Sequence, residues 1–293
     1  PSMRGLGTGT HRPLVELLAA AGRVEKLPEA VRRWLVEFRT AVSLGTWMAG
    51  EMLAQGEQII DRVTELADGT NMRFLYDPER KLFAIGYNVT ESRLDSSYYD
   101  LLASEARVAS FVSIASGQVP LEHWVALGRP YGRPGGQPAL LSWSGTMFEY
   151  LMPMLFLRSY ENSLLHSACQ EAVSWQARYA TDQGVPWGIS EAAFAALDAN
   201  RTYQYQAFGA PGLGLKRGLE DDLVVAPYAS ALALMVDPKP ALQNLERLAG
   251  MGMRGSYGYY ESIDFTRRRR SENERGVIVY TYMAHHQGMF LLA

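Results

Sequence analysis

Glu105, Glu149, Glu191 and Glu261 each stand in apolar or aromatic company, in LLASEAR (101–107), GTMFEY (145–150), GISE (188–191) and YGYYES (257–262). A glutamate is rarely buried without a partner, so four in such settings need an explanation. One explanation is structural. Glu105 has Arg107 nearby for an ion pair, and Glu191 follows Ser190 at the start of an alanine-rich run, where an acidic side chain suits a helix's first turn. The other is chemical. Trp143, Trp187, Tyr203, Tyr205, Tyr257, Tyr259 and Tyr260 supply flat apolar faces, and Asp100, Gln204, Gln206 and Gln287 supply polar groups. A sugar ring has an apolar CH face and a hydroxyl rim, and aromatic platforms with polar neighbours match both. Cleaving a glycosidic bond needs two carboxyls, one protonated and one ionised. Together these residue types fit carbohydrate chemistry best.

Other chemistries fit less well. The glycine-rich 209–218 has the wrong spacing for a P-loop and no strand feeding it. His285 and His286, adjacent on a helix, point about 100° apart and cannot share a metal as i and i+4 do. Ser142 and Ser144 lack the Gly-x-Ser-x-Gly elbow of a serine nucleophile. No metal or other cofactor is therefore expected. With 28 Lys+Arg against 31 Asp+Glu, the net charge of −3 gives no positive field to recommend nucleic acid or anionic lipid. The basic run 267–270 reads as a solvated loop. Cys169 is alone, which excludes an internal disulfide.

The elements that must position these residues read mainly as helices. Of the 293 residues, 47% are hydrophobic, ample for a sizeable core. Apolar residues at spacings of three and four predict helices across 13–67, with breaks at Pro28 and Gly45. Further helices are expected over 97–115, 145–157, 163–183, 191–198, 226–236, 238–250 and 280–293. Two aromatic runs flanking Asp77-Pro78 predict a small hairpin over 73–87. No apolar window reaches the length of a membrane span. Both ends read as cut, so the chain is expected to belong to a longer polypeptide.

The motifs DSSYYDLLASEAR (95–107), LSWSGTMFEYLMP (141–153), GVPWGISE (184–191), YQYQAFG (203–209) and YMAHHQGM (282–289) resemble the glucoamylase-like domain of cyclic β-1,2-glucan synthases. The resemblance runs from about residue 74 to the end. It implies an all-α fold, an (α/α)6 barrel truncated at its C-terminus, with 1–72 as a helical segment leading into a barrel domain at 73–293. It also implies a retaining transglycosylase that cyclises linear β-1,2-glucan, within a bacterial inner-membrane protein that also carries glycosyltransferase and phosphorylase-like domains. This part is expected on the cytoplasmic side, making no membrane contact itself. By position, Glu105 matches the family's nucleophile and Glu191 its acid/base. Tyr99, Asp100, Trp143, Glu149, Trp187, Tyr203, Gln204, Tyr205, Glu261, His286 and Gln287 are the expected substrate contacts. A related endo-β-1,2-glucanase and a non-catalytic glucan-binding module remain as alternative readings.

Overall fold

The three-and-four spacing of the N-terminal region produces the helices Met3–Gly7, Arg12–Ala21 and the 41-residue Glu29–Gly69. Pro28, in extended backbone, starts the long helix, whereas Gly45 lies inside it instead of breaking it. A glycine in a helix interior costs only about 1 kcal/mol, which a long helix absorbs. The computed structural model describes residues 2–24 and 26–293, and it divides into two units, Pro1–Asn71 and Met72–Ala293.

The second unit holds the core. Its longer helices are Arg107–Ala115, Leu164–Asp182, Pro238–Gly250 and Ala284–Leu292, with the short Met147–Leu151 and Pro227–Leu232 between them. Met147, Tyr150, Leu151, Ala172, Ile189, Val225, Leu232 and Leu248 pack into one buried cluster. Ser163 caps the 19-residue helix as its sequence suggests, its side chain accepting from the His166 backbone N–H. No helix among the described residues is long and apolar enough to cross a membrane.

The expectation of an all-α fold does not hold, because short antiparallel sheets are woven between the helices. The hairpin Tyr76–Asp77 and Leu82–Ala84 forms as predicted, and Tyr98–Tyr99 adds to it as a third strand. Asp77 stabilises the turn by accepting from the backbone N–H groups of Glu79 and Arg80. The helix expected from residue 97 consequently starts only at Arg107. The larger correction is at 191–198. Ala192–Leu197 is a strand paired with Tyr203–Gln206, and it is backed by the sheet of Val224–Val225, Ser262–Asp264 and Val277–Val279. A short buried apolar run is ambiguous between helix and strand by periodicity. Here tertiary partners decide it: the N–H groups of Ala193 and Ala195, two residues apart, donate to the carboxylates of Glu261 and Asp264.

Two loops also differ from expectation. Arg267 and Arg268 are exposed, but Arg269 is drawn inward, bonding Asp264 at 2.6 Å and Asp222 at 2.6 Å beneath the rings of Phe194 and Phe208. The glycine-rich 209–218 is a strap against the 142–145 loop, with Gly209, Ala210 and Leu213 buried and Leu215 exposed. Ser142 donates to Leu213 O and Leu215 donates to Ser142 O. A Cβ on Gly209 would lie 1.5 Å from the Ser144 carbonyl oxygen, so only glycine permits this approach.

Candidate active site

The segment carrying Glu191 is held from two helices by side-chain amides. Gln176 accepts from Ile189 N–H at 2.7 Å and donates to Ile189 O at 2.8 Å. Asn244 treats Trp187 the same way, at 3.1 and 2.8 Å. Both are buried, and they satisfy backbone groups as a neighbouring strand would. Between them Gly188 adopts φ +116°, and a Cβ there would meet Ser230 Oγ at 2.7 Å. Glu191 emerges at the bend that follows. The Tyr228 hydroxyl donates to its backbone oxygen at 3.0 Å. Among the described residues its carboxyl takes no hydrogen bond.

Glu105 lies in the turn before Arg107–Ala115, with Ser104 Oγ at 3.3 Å from its carboxyl. Its expected ion pair does not form. The buried Arg107 instead donates to the carbonyl oxygens of Ser104 at 2.9 Å, Glu149 at 2.6 Å and Tyr150. The carbonyls of Glu149 and Tyr150 belong to the helix Met147–Leu151, whose negative end suits a cation. Arg107 therefore ties the Glu105 turn to that helix without neutralising Glu105.

Electrostatics joins the two carboxyls. Burial pushes the Glu105 carboxyl above its ordinary range, and the charge of Glu149 adds to the shift. Burial, then the charges of Glu105 and Glu149, push Glu191 up to about 7. The Tyr99 phenol is raised by burial and then by both Glu105 and Glu191. Tyr99, Glu105, Glu149 and Glu191 thus share one neighbourhood. Near neutral pH Glu191 is thus poised between its protonated and ionised forms, as a general acid must be.

The remaining expected contacts are spread over several settings. Glu149 is engaged by the protein, accepting from Ser142 Oγ, Ser144 N, Thr146 N and Thr146 Oγ1 in a capping box. Trp187 is in the core, whereas Trp143 is 60% exposed and Asp100 is exposed. Tyr203, Gln204 and Tyr205 lie on one strand, where alternation puts the two tyrosines on one face and the glutamine on the other. Gln287 donates to Tyr259 O at 2.9 Å. Glu261 and His286 are buried together, joined at 2.8 Å. Sequence reasoning missed Tyr228, whose signal is only an apolar helix start, and the framing roles of Arg107, Gln176 and Asn244. A cavity of about 1080 Å³ is lined by Glu220, Asp221, Arg247, Arg267, Arg270 and Arg275 among others, and none of the four glutamates borders it.

The family model Glycoamylase, described as "Putative glucoamylase", matches residues 97–293. The chain belongs to the glucoamylase-like family. Over 233 residues it is 49% identical to the cyclic β-(1,2)-glucan synthase NdvB of Rhizobium meliloti (strain 1021), covering 80% of this chain and 8% of that protein. Among solved structures, one from Bacteroides caccae with the family's description is 16% identical at TM-score 0.58, covering 80% of this chain and 58% of the other. An endo-β-1,2-glucanase from Chitinophaga pinensis, in complex with sophorotriose and glucose, is 14% identical at TM-score 0.58 over 81% of this chain and 58% of that one. The fold is thus that of glucoamylase-like proteins, and the chain spans a small part of its synthase relative.

Proposed function

We propose that this glucoamylase-like domain is a carbohydrate-active enzyme working on β-1,2-glucan, with Glu105 and Glu191 as its carboxyl pair. The observation that carries this reading is the shared burial of the two glutamates, brought from motifs 86 residues apart, with the charge of Glu105 helping to raise Glu191 to about 7. The synthase relative supports the substrate class. One carboxylate attacks the anomeric carbon while the other carboxyl protonates the leaving oxygen, giving a glycosyl-enzyme. The second group then deprotonates the incoming hydroxyl, which displaces the first and restores the configuration. In the cyclising form of the reaction that hydroxyl is the chain's own non-reducing end, favoured over water by aromatic acceptor subsites. The helices would be part of an (α/α)6 barrel, inside a longer inner-membrane synthase with the domain on the cytoplasmic side.

Endo-β-1,2-glucanase activity is the second reading, favoured by the structural likeness to the Chitinophaga glucanase. Products distinguish them: incubation with linear β-1,2-glucan is expected to give cyclic products, and shorter linear chains alone would establish hydrolysis. Azide rescue tests the pair itself. Glutamine variants at 105 and 191 should yield glycosyl azides of opposite anomeric configuration, the α-azide marking the nucleophile. Wild-type-like turnover in both variants would remove these residues from the chemistry.

A further inference from the structure

Glu261, His286 and Tyr205 form a chain that runs from the core to a partly exposed tyrosine. Glu261 and His286 are 2% and 1% exposed, and Tyr205 is 42% exposed. Glu261 Oε1 lies 2.8 Å from His286 Nδ1 and accepts from Ala193 N–H at 3.2 Å, while Oε2 is buried without a partner among the described residues. His286 Nε2 is 3.4 Å from the Tyr205 hydroxyl, and the imidazole stacks on Tyr228 at 3.8 Å. Burying an ionisable pair with one carboxylate oxygen unmatched is unfavourable compared with apolar packing. A role beyond packing accounts for such an arrangement.

The hydrogen-bond directions supply that role. In the Nδ1–H tautomer, with the Glu261 carboxylate accepting from Nδ1, Nε2 is an acceptor. The Tyr205 O–H then donates inward to Nε2, and the oxygen's lone pairs are left to accept from outside. Strand pairing sets Tyr205 opposite Ala193, two residues beyond Glu191, and Tyr228 bonds both the Glu191 carbonyl and Ser190 Oγ. We propose that Glu261 and His286 are positioning residues that hold Tyr205 as a hydrogen-bond acceptor for a glucan hydroxyl beside Glu191. This rests on the glucan-acting reading above. The 3.4 Å contact is of the kind that shortens when substrate closes the network.

Two measurements test it. The first needs no substrate: ¹⁵N NMR of the imidazole should show His286 as the Nδ1–H tautomer, with its Nε2 resonance moving in Tyr205→Phe. An Nε2–H tautomer, or an Nε2 signal indifferent to Tyr205→Phe, overturns the proposal whatever the protein acts on. The second is kinetic, with linear β-1,2-glucan. Tyr205→Phe should lower kcat/KM by about tenfold, the worth of one hydrogen bond, and Glu261→Gln, which keeps an acceptor for Nδ1–H, should retain most activity. His286→Gln should cost little more in the Tyr205→Phe background than Tyr205→Phe alone, whereas independent, multiplying losses overturn the proposal. If the wild-type protein leaves linear β-1,2-glucan untouched, the proposed function fails, and the NMR result still decides the chain of hydrogen bonds.

Discussion

Two residues hold charge where it is costly, and each cost can be measured. For Glu191 the folded carboxyl sits at about 7 against 4.5 for the ordinary side chain. A raised carboxyl contributes most to stability below pH 4.5, and that contribution is lost as pH rises through 7. Glu191→Gln removes the group that must ionise. The variant should therefore be more stable than wild type at pH 8 by on the order of 2 kcal/mol, after discounting for partial exposure, and nearly equal to it at pH 4. Urea unfolding at the two pH values measures this, and a gain equal at both would mean that burial does not set the shift. Arg107 is the opposite case, a buried cation spent on carbonyl oxygens. Arg107→Met should cost about 3 kcal/mol, since it leaves buried acceptors without their donor, and a loss below 1 kcal/mol would show that the turn is held by other contacts. The sequence suggested Arg107 only as a partner for Glu105. Which acceptor a buried guanidinium finds depends on chain segments 42 residues away, and spacing carries no such information.

Among the elements, the Glu191 segment is positioned by parts that never touch the proposed chemistry. Gln176 and Asn244 come from helices that were legible in the sequence, Leu164–Asp182 and Pro238–Gly250, expected over 163–183 and 238–250. Their amide contacts were not legible, because a polar residue on a helix looks the same whether it meets water or a backbone. The strand after Glu191 was hidden for a related reason. AAFAAL favours helix locally, and its extended form is held by pairing with Tyr203–Gln206 and by the carboxylates of Glu261 and Asp264, some seventy residues downstream. The carboxylates themselves were recognisable from their apolar company, and so was the 73–87 hairpin from its turn. Asn244→Leu should cost about 2–4 kcal/mol by leaving Trp187 N–H unpaired in the core. Activity on β-1,2-glucan should fall with it, since Glu191 lies four residues along. Gly188→Ala should act on the same segment through strain at φ +116°. Activity that survives Asn244→Leu in protein shown by urea titration to be folded would separate this clamp from the site.

At the scale of the whole molecule, the two units differ in what holds them. The second unit buries a continuous cluster from Ala103 to Met289, whereas the helix Glu29–Gly69 buries only Ala49 among its described residues. Trp34, Trp47, Ile59 and Leu66 are 54%, 63%, 61% and 73% exposed, so the apolar spacing that predicted this helix is left largely facing solvent. Such a helix keeps the local terms: propensity, and i,i+4 pairs such as Trp34 stacked on Phe38 at 5.1 Å. Those are worth tenths of a kcal/mol each, and most helical stability in proteins comes from packing instead. Local opening should therefore be much easier here than in Pro238–Gly250, whose Ala241, Asn244, Leu245 and Leu248 are buried. Hydrogen exchange followed by mass spectrometry should show amides of 29–69 protected at least about a hundredfold less than those of 238–250, a gap of about 3 kcal/mol. Equal protection in the two helices would mean that the exposed face is covered in solution by a second copy or another partner. A dilution series would identify the second copy, because protection that comes from self-association falls with protein concentration.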